Sequence, residues 1–169
     1  MKDFLTLAKE RYSVRKFTAE PVSAEDLDKI LEAGMAAPTA CNLQPQRVFV
    51  LNTADTLDKL KKCTPCHFDA PAALLVCFNS EETWKRKYDG ETSGWVDASI
   101  VTTHMMLEAA DLGIGSTWVM WFDPAAVRTE FALADELVPA AILVMGHAAP
   151  DAAPSPMHAQ SRARAELIR

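Results

Sequence analysis

The segment WVDASIVTTHMMLEAADL, residues 95–112, constrains this chain more than any other. It predicts the longest helix, and Val96, Ile100, Val101, Met105, Met106, Leu107, Ala109 and Leu112 fall all round it. A helix apolar on every face must be buried on every face, in a core or against a partner chain. The chain has 169 residues, enough for one domain with a sizeable core and too few for two ordinary ones. One face of the helix is therefore expected to meet a second subunit, and residues 1–169 are read as a single domain.

Helices and strands mix around that element. Phe4, Leu5, Leu7 and Ala8 give residues 3–12 a short amphipathic pattern running into RYSVRKF, residues 11–17. Ser23, with Asp26 three residues on, resembles a capping box and opens a helix through Leu27, Ile30, Leu31 and Met35 that Pro38 ends. Residues 38–46 form a polar loop, 48–51 a buried strand, about 54–62 a helix, and 72–78 a second apolar strand. The charged, turn-rich stretch 80–94 reads as a surface excursion. Gly113 stops the long helix, and 114–120 follow as a strand. Asp123 caps a helix whose first position is Pro124. Residues 137–145 read as a strand broken by Pro139, and the tail beyond Gly146 is rich in proline and alanine with a short Arg/Glu patch at its end. No repeat or linker divides the chain, so it is a single α+β or α/β domain.

Composition excludes several classes. With 49% hydrophobic and 24% charged residues the chain is an ordinary globular sequence. A pI near 5.2 argues against a nucleic-acid binder. The opening MKDFLTLAKERYS carries charges at 2, 3, 9 and 10 and lacks a signal-peptide h-region, and no stretch approaches a charge-free membrane span. The expectation is a cytoplasmic protein. Cys41, Cys63, Cys66 and Cys77 suit a reducing compartment as small apolar residues. Cys63-Thr64-Pro65-Cys66-His67 matches the C-x-x-C-H haem pattern and a C-x-x-C dithiol, but both covalent haem attachment and a stable disulfide normally need export, so coincidence is favoured. His104, His147 and His158 stand alone, and no metal site is expected.

Chemistry tests narrow the field further. The one G-x-G, Gly113-Ile114-Gly115, follows a helix and precedes a strand, the wrong order for a dinucleotide fingerprint. No P-loop, G-x-S-x-G or H-E-x-x-H occurs, so a cofactor is expected to supply any reactive atom. Three polar clusters remain. Arg11-Tyr12-Ser13-Val14-Arg15 could grip a phosphate with guanidinium pairs and a hydroxyl, or simply end a helix with cations. Pro38-Thr39-Ala40-Cys41-Asn42-Leu43-Gln44-Pro45 could read the edge of a heterocycle, or serve as a plain turn. Arg162 and Arg164 could be ligands or part of a frayed tail.

Taken in order, these clusters resemble the FMN-dependent nitroreductases. RYSVRKF resembles that family's R-R-S-V-R-x-F start, AAPTACNLQPQRVFVL its A-P-S-x-x-N-x-Q-P-W-x-F-x-V loop, and VDASIVTTHMMLEAADLGIGSTWV its long helix and L-G-L-G-T-x-W segment. Gly146, with prolines and then arginines beyond, resembles the closing G-Y-P…R. The resemblance implies an α+β, three-layer fold with a mostly antiparallel central sheet flanked by helices, in an intertwined homodimer. It implies FMN in a groove shared by both subunits. Arg11, Tyr12, Ser13 and Arg15 would hold its phosphate and ribityl end, with Arg162 returning from the tail. Pro38, Thr39, Ala40, Asn42 and Gln44 of the partner would border the isoalloxazine, and backbone at Met120 and Trp121 would lie near flavin N5. The implied reaction is ping-pong: NAD(P)H gives hydride to N5 and leaves, then an electron-poor acceptor such as a nitroaromatic or quinone takes its place. A flavin protein of the same fold that fragments flavin, dehalogenates, or stores or senses FMN is the alternative.

The sequence departs from the pattern in places. Thr39-Ala40 replace two serines, Gln46 replaces tryptophan, and Trp121 replaces a small residue, which narrows the pocket over the ring. CTPCHF carries His67 as the stand-in for polar groups at the pyrimidine edge, and segment 80–94 is the expected cover of a more open pocket.

Overall fold

The structure is a computed structural model that describes residues 3–169; Lys2, one of the charges weighed against a leader, lies outside them. The elements in order are α1 (Phe4–Glu10), α2 (Ala24–Met35), β1 (Gln46–Leu51), α3 (Ala54–Cys63), β2 (Ala72–Asn79), α4 (Gly94–Asp111), β3 (Gly115–Val119), α5 (Pro124–Glu130), β4 (Leu137–Gly146) and α6 (Arg164–Leu167). Short 3₁₀ turns occupy Ala40–Asn42 and Pro65–His67. No helix among the described residues is long and apolar enough to cross a membrane.

Local chemistry sets the helix starts. Ser23 accepts the Asp26 N–H, and its hydroxyl donates back to the Asp26 carboxylate at 2.8 Å. Asp123 accepts the N–H groups of Ala125 and Ala126 ahead of Pro124, the pairing expected of an acidic N-cap before a first-turn proline. Thr53 and Thr56 cap α3 reciprocally. Gly113 ends α4 at φ +78, a conformation that costs glycine no side-chain clash.

Four strands form one antiparallel sheet in the order β1-β2-β4-β3. Successive residues of β2 point to opposite faces, and both faces are covered. Leu74, Val76 and Phe78 join α2 and α4 in one core, while Ala73, Leu75 and Cys77 meet α3 and α5 in the other. Hence β2 reads as an unbroken apolar run. The arrangement is the expected α+β three-layer fold.

Two expectations change. Pro139 does not break β4. Val76 faces Ala141 while Cys77 faces Pro139, so Ala140 is an extra residue in a bulge. The pairing with β3 begins only at Ile142, so the missing proline N–H leaves no ladder bond unmade on that side. The tail is also less loose than a frayed end: Lys16 pairs with Asp151 at 2.5 Å, His158 packs edge-on against Tyr12, and α6 closes the chain.

Helix α4 is buried along one stripe, including Ala98, Val101, Met105 and Ala109. Trp95 and Val96 are exposed on its other side, and Ile100 and Thr103 help line an open groove there. The apolar residues that surround the helix are therefore only partly used within one chain.

Candidate functional site

Segment 11–15 is held along the start of β3. Val14 is buried; its N–H donates to the Ser116 carbonyl at 3.0 Å, and the Thr117 hydroxyl donates to the Val14 carbonyl. Gly115 permits this approach, because a Cβ there would sit 2.7 Å from a Val14 methyl. With Val14 inward, alternation along an extended segment sets Ser13 and Arg15 toward the other side. One Arg15 guanidinium nitrogen donates to the Ser13 carbonyl at 3.1 Å.

Arg11 carries the electrostatic signature. It is half-buried, lines a cavity of about 160 Å³ with Tyr12, Gly113 and Ser116, and pairs with no carboxylate among the described residues. Burial holds its pKa below the ordinary value, yet a guanidinium stays charged in proteins. Ser116 belongs to the same wall, and its buried hydroxyl has no hydrogen-bond partner among the described residues. Arg11 beside the Ser116 hydroxyl gives a donor set that fits a phosphate group, with Glu10 in the same wall.

The 38–45 loop lies at the opposite end of α4. Asp97, 1% exposed, accepts the Ala40 N–H on one carboxylate oxygen at 2.9 Å and the Ser93 hydroxyl on the other at 2.7 Å. Thr39 Oγ1 accepts the Gln44 N–H at 3.1 Å. Cys41, Asn42 and Gln44 all have positive φ, between 51° and 54°. Non-glycine residues in this region are uncommon and cluster where a loop is held for a purpose. Pro38, Asn42 and Gln44 are exposed, whereas Thr39 and Ala40 are half-buried.

Met120 and Trp121 follow β3 and are 57% and 77% exposed. Their backbone is fixed while their side chains are free: Thr64 donates its hydroxyl to the Trp121 carbonyl at 2.5 Å, and the Asp123 N–H donates to the Cys63 carbonyl at 2.8 Å. The CTPCH turn is thereby docked on the 120–123 segment. In it, His67 Nδ1 accepts the Asp69 N–H at 3.0 Å, which leaves Nε2–H as a donor. The Cys63 thiol donates to the Lys59 carbonyl at 3.3 Å, and burial pushes its pKa up, the opposite of what a reactive thiolate needs.

The structure thus groups Arg11, Tyr12, Ser13 and Arg15 at the start of β3, with Met120 and Trp121 at its far end, about 13 Å along a strand. It does not bring the 38–45 loop to them. Asp97 and Gly113 are about 24 Å apart along α4. Arg162 is exposed in the tail, four residues beyond His158, and makes no hydrogen bond or ion pair with segment 11–15 among the described residues. Asp97, Thr64 and Ser116 escape a sequence reading. Only the acid in the first turn of an otherwise apolar helix was a signal.

Comparison with known proteins adds a lineage to this geometry. Residues 8–64 and 61–147 match the model of the nitroreductase family. A relative from Methanothermobacter thermautotrophicus, whose name pairs NADH dehydrogenase with NAD(P)H nitroreductase, is 30% identical over 155 residues, covering 87% of this chain and 78% of its own. The crystal structure of a nitroreductase family protein from Clostridium difficile 630 superposes with a TM-score of 0.94 at 40% identity, over 99% of this chain and 98% of that one. A protein from Desulfovibrio desulfuricans solved in complex with FMN superposes at 0.83 with 28% identity, over 99% and 96% of the two chains.

Proposed function

The chain belongs to the nitroreductase family, and from that premise we propose that it is an FMN-dependent NAD(P)H oxidoreductase that reduces electron-poor acceptors such as nitroaromatics and quinones. The observation that carries this reading is the donor set at the start of β3, where, among the described residues, Arg11 lacks a carboxylate partner and the Ser116 hydroxyl lacks a hydrogen-bond partner. The FMN-bound relative supports the choice of cofactor.

Arg11, Ser13 and Arg15 hold the phosphate and ribityl end in this proposal, with Tyr12 beside them and Arg162 arriving from the tail. The backbone at Met120 and Trp121, fixed by Thr64 and Cys63, borders the ring. When bound, FMN supplies the hydride-accepting and hydride-donating centre that no side chain here provides. The chain's own part is positioning: cations and N–H groups orient the cofactor, and exposed Trp121 narrows the space an acceptor can enter.

Pro38, Thr39, Ala40, Asn42 and Gln44 cannot reach the same ring within one chain, since α4 separates them from segment 11–15. A second copy resolves this. In a homodimer built on the uncovered face of α4, the 38–45 loop of one subunit borders the cofactor held by the other, and Trp95 and Val96 become buried. Residues 1–169 act as one domain in this arrangement.

The test is an anaerobic absorption spectrum of FMN-reconstituted protein, before and after NADPH or NADH, then after a quinone. Bleaching by a nicotinamide and recovery with the quinone are expected. A bound flavin unmoved by either donor would point instead to a flavin protein of the same fold with another role, and failure to bind FMN would overturn both readings.

A further inference from the structure

Cation pairing across the surface is uneven. Lys16, Lys29, Lys59, Lys61 and Lys62 each pair with a carboxylate, as a formal charge of −6 makes easy. Lys85 and Lys87 have no such partner among the described residues. They flank Arg86, whose guanidinium is spent in a fork onto Asp89 at 2.8 and 2.7 Å. Tyr88, beside them, is 96% exposed.

The stretch that carries them is built rather than slack. Lys85 bridges Thr92, the Arg86 N–H donates to the Glu91 carbonyl at 2.8 Å, and Gly90 turns the ribbon at φ +77. Its base is fastened to the 38–45 loop. Glu82 takes a two-pronged bond from Arg47 at 2.8 and 2.7 Å, and the Asn79 N–H donates to the Pro45 carbonyl at 2.8 Å. The Ser93 N–H donates to the Trp84 carbonyl, and its hydroxyl meets the same Asp97 that anchors Ala40. The ribbon and the loop are therefore fastened to each other, and whatever ring the loop borders lies beside the ribbon. Two unpaired ammonium groups next to an exposed phenol suit an anion joined to a flat base: the cations take the phosphate and the ring stacks.

We infer that the 84–92 ribbon recognises the phosphorylated adenosine end of the nicotinamide donor, with Lys85 and Lys87 on the 2′-phosphate that distinguishes NADPH from NADH and Tyr88 against the adenine. This rests on the reading above that a nicotinamide dinucleotide reaches the site.

The experiment reads binding and not turnover, so it separates this inference from the flavin reading. Adenosine 2′,5′-bisphosphate and 5′-AMP are titrated calorimetrically into the FMN-loaded full chain and its Lys85→Ala/Lys87→Ala variant. Removing both exposed ammonium groups should weaken the bisphosphate about tenfold, a loss that raised salt reduces, while 5′-AMP changes by less than about twofold. Tyr88→Ala should weaken both nucleotides alike. Equal affinity of the bisphosphate for wild type and double variant would overturn the assignment, as would an equal loss for both nucleotides or no bisphosphate binding at all. If NADPH fails to bleach the flavin while the bisphosphate still depends on Lys85 and Lys87, the NAD(P)H-oxidoreductase reading fails and the ribbon's recognition of a 2′-phosphorylated adenosine stands.

Discussion

At the scale of single residues, charges without partners and thiols without water define what this protein can do. Among the described residues the Arg15 guanidinium donates to the Ser13 carbonyl alone, so it keeps donors for a ligand. Arg15→Ala is predicted to weaken FMN binding by roughly 1.5–3 kcal/mol, the range of a charge-assisted hydrogen bond. Flavin retained after gel filtration reports it, and unchanged occupancy would remove Arg15 from the site. Cys77 gives a prediction about pH. Burial pushes its thiol up to about 12 from 9.0, so above pH 9.0 the unfolded chain releases a proton that the folded chain keeps. Stability then falls as pH rises through that window. Urea midpoints should decline more steeply with alkalinity in wild type than in Cys77→Ala, and parallel declines would contradict this. RYSVRKF and PTACNLQP were visible in the sequence because their residue types are unusual in concentration. Asp97 and Ser116 were not, since nothing in a one-dimensional pattern says that a carboxylate will be sealed under a loop or a hydroxyl left unpaired.

At the scale of elements, close approach decides function. Segment 11–15 lies on β3 because Gly115 has no Cβ. Gly115→Ala would press a methyl group to 2.7 Å from one Val14 methyl and 3.0 Å from its Cβ, and such overpacking costs about 1–3 kcal/mol. The expected result is a lowered urea midpoint together with loss of flavin, since the displaced segment carries Ser13 and Arg15. A stable variant that keeps its flavin would show that β3 does not position the segment. Most elements were legible through caps and periodicity: Ser23, Asp123 and Gly113 each mark a boundary through a bond or a backbone angle that the residue type favours. Pro139 misled because its effect depends on neighbours. A proline breaks a strand only where a ladder bond is demanded, and here a bulge and the late start of β3 pairing remove the demand. The 80–94 stretch is the surface excursion its composition indicates, but its order is not legible there, because the local Arg86–Asp89 pair and the tertiary Arg47–Glu82 pair hold it.

At the scale of the whole molecule, α4 is the organising fact. Its buried stripe builds one core, its other face is left uncovered, and its two ends present the two halves of the proposed site about 24 Å apart. A helix apolar all round leads one to expect a partner subunit, and the separation of the halves would give that partner a task. Flavin binding and association should therefore be linked, with FMN tightening the dimer and dilution releasing FMN. The most direct measurement is sedimentation velocity of FMN-loaded protein over a range of concentrations, following flavin absorbance and protein absorbance together. Flavin should sediment only with the dimer and appear as free cofactor as monomer forms. Flavin that travels stoichiometrically with a monomer would contradict it.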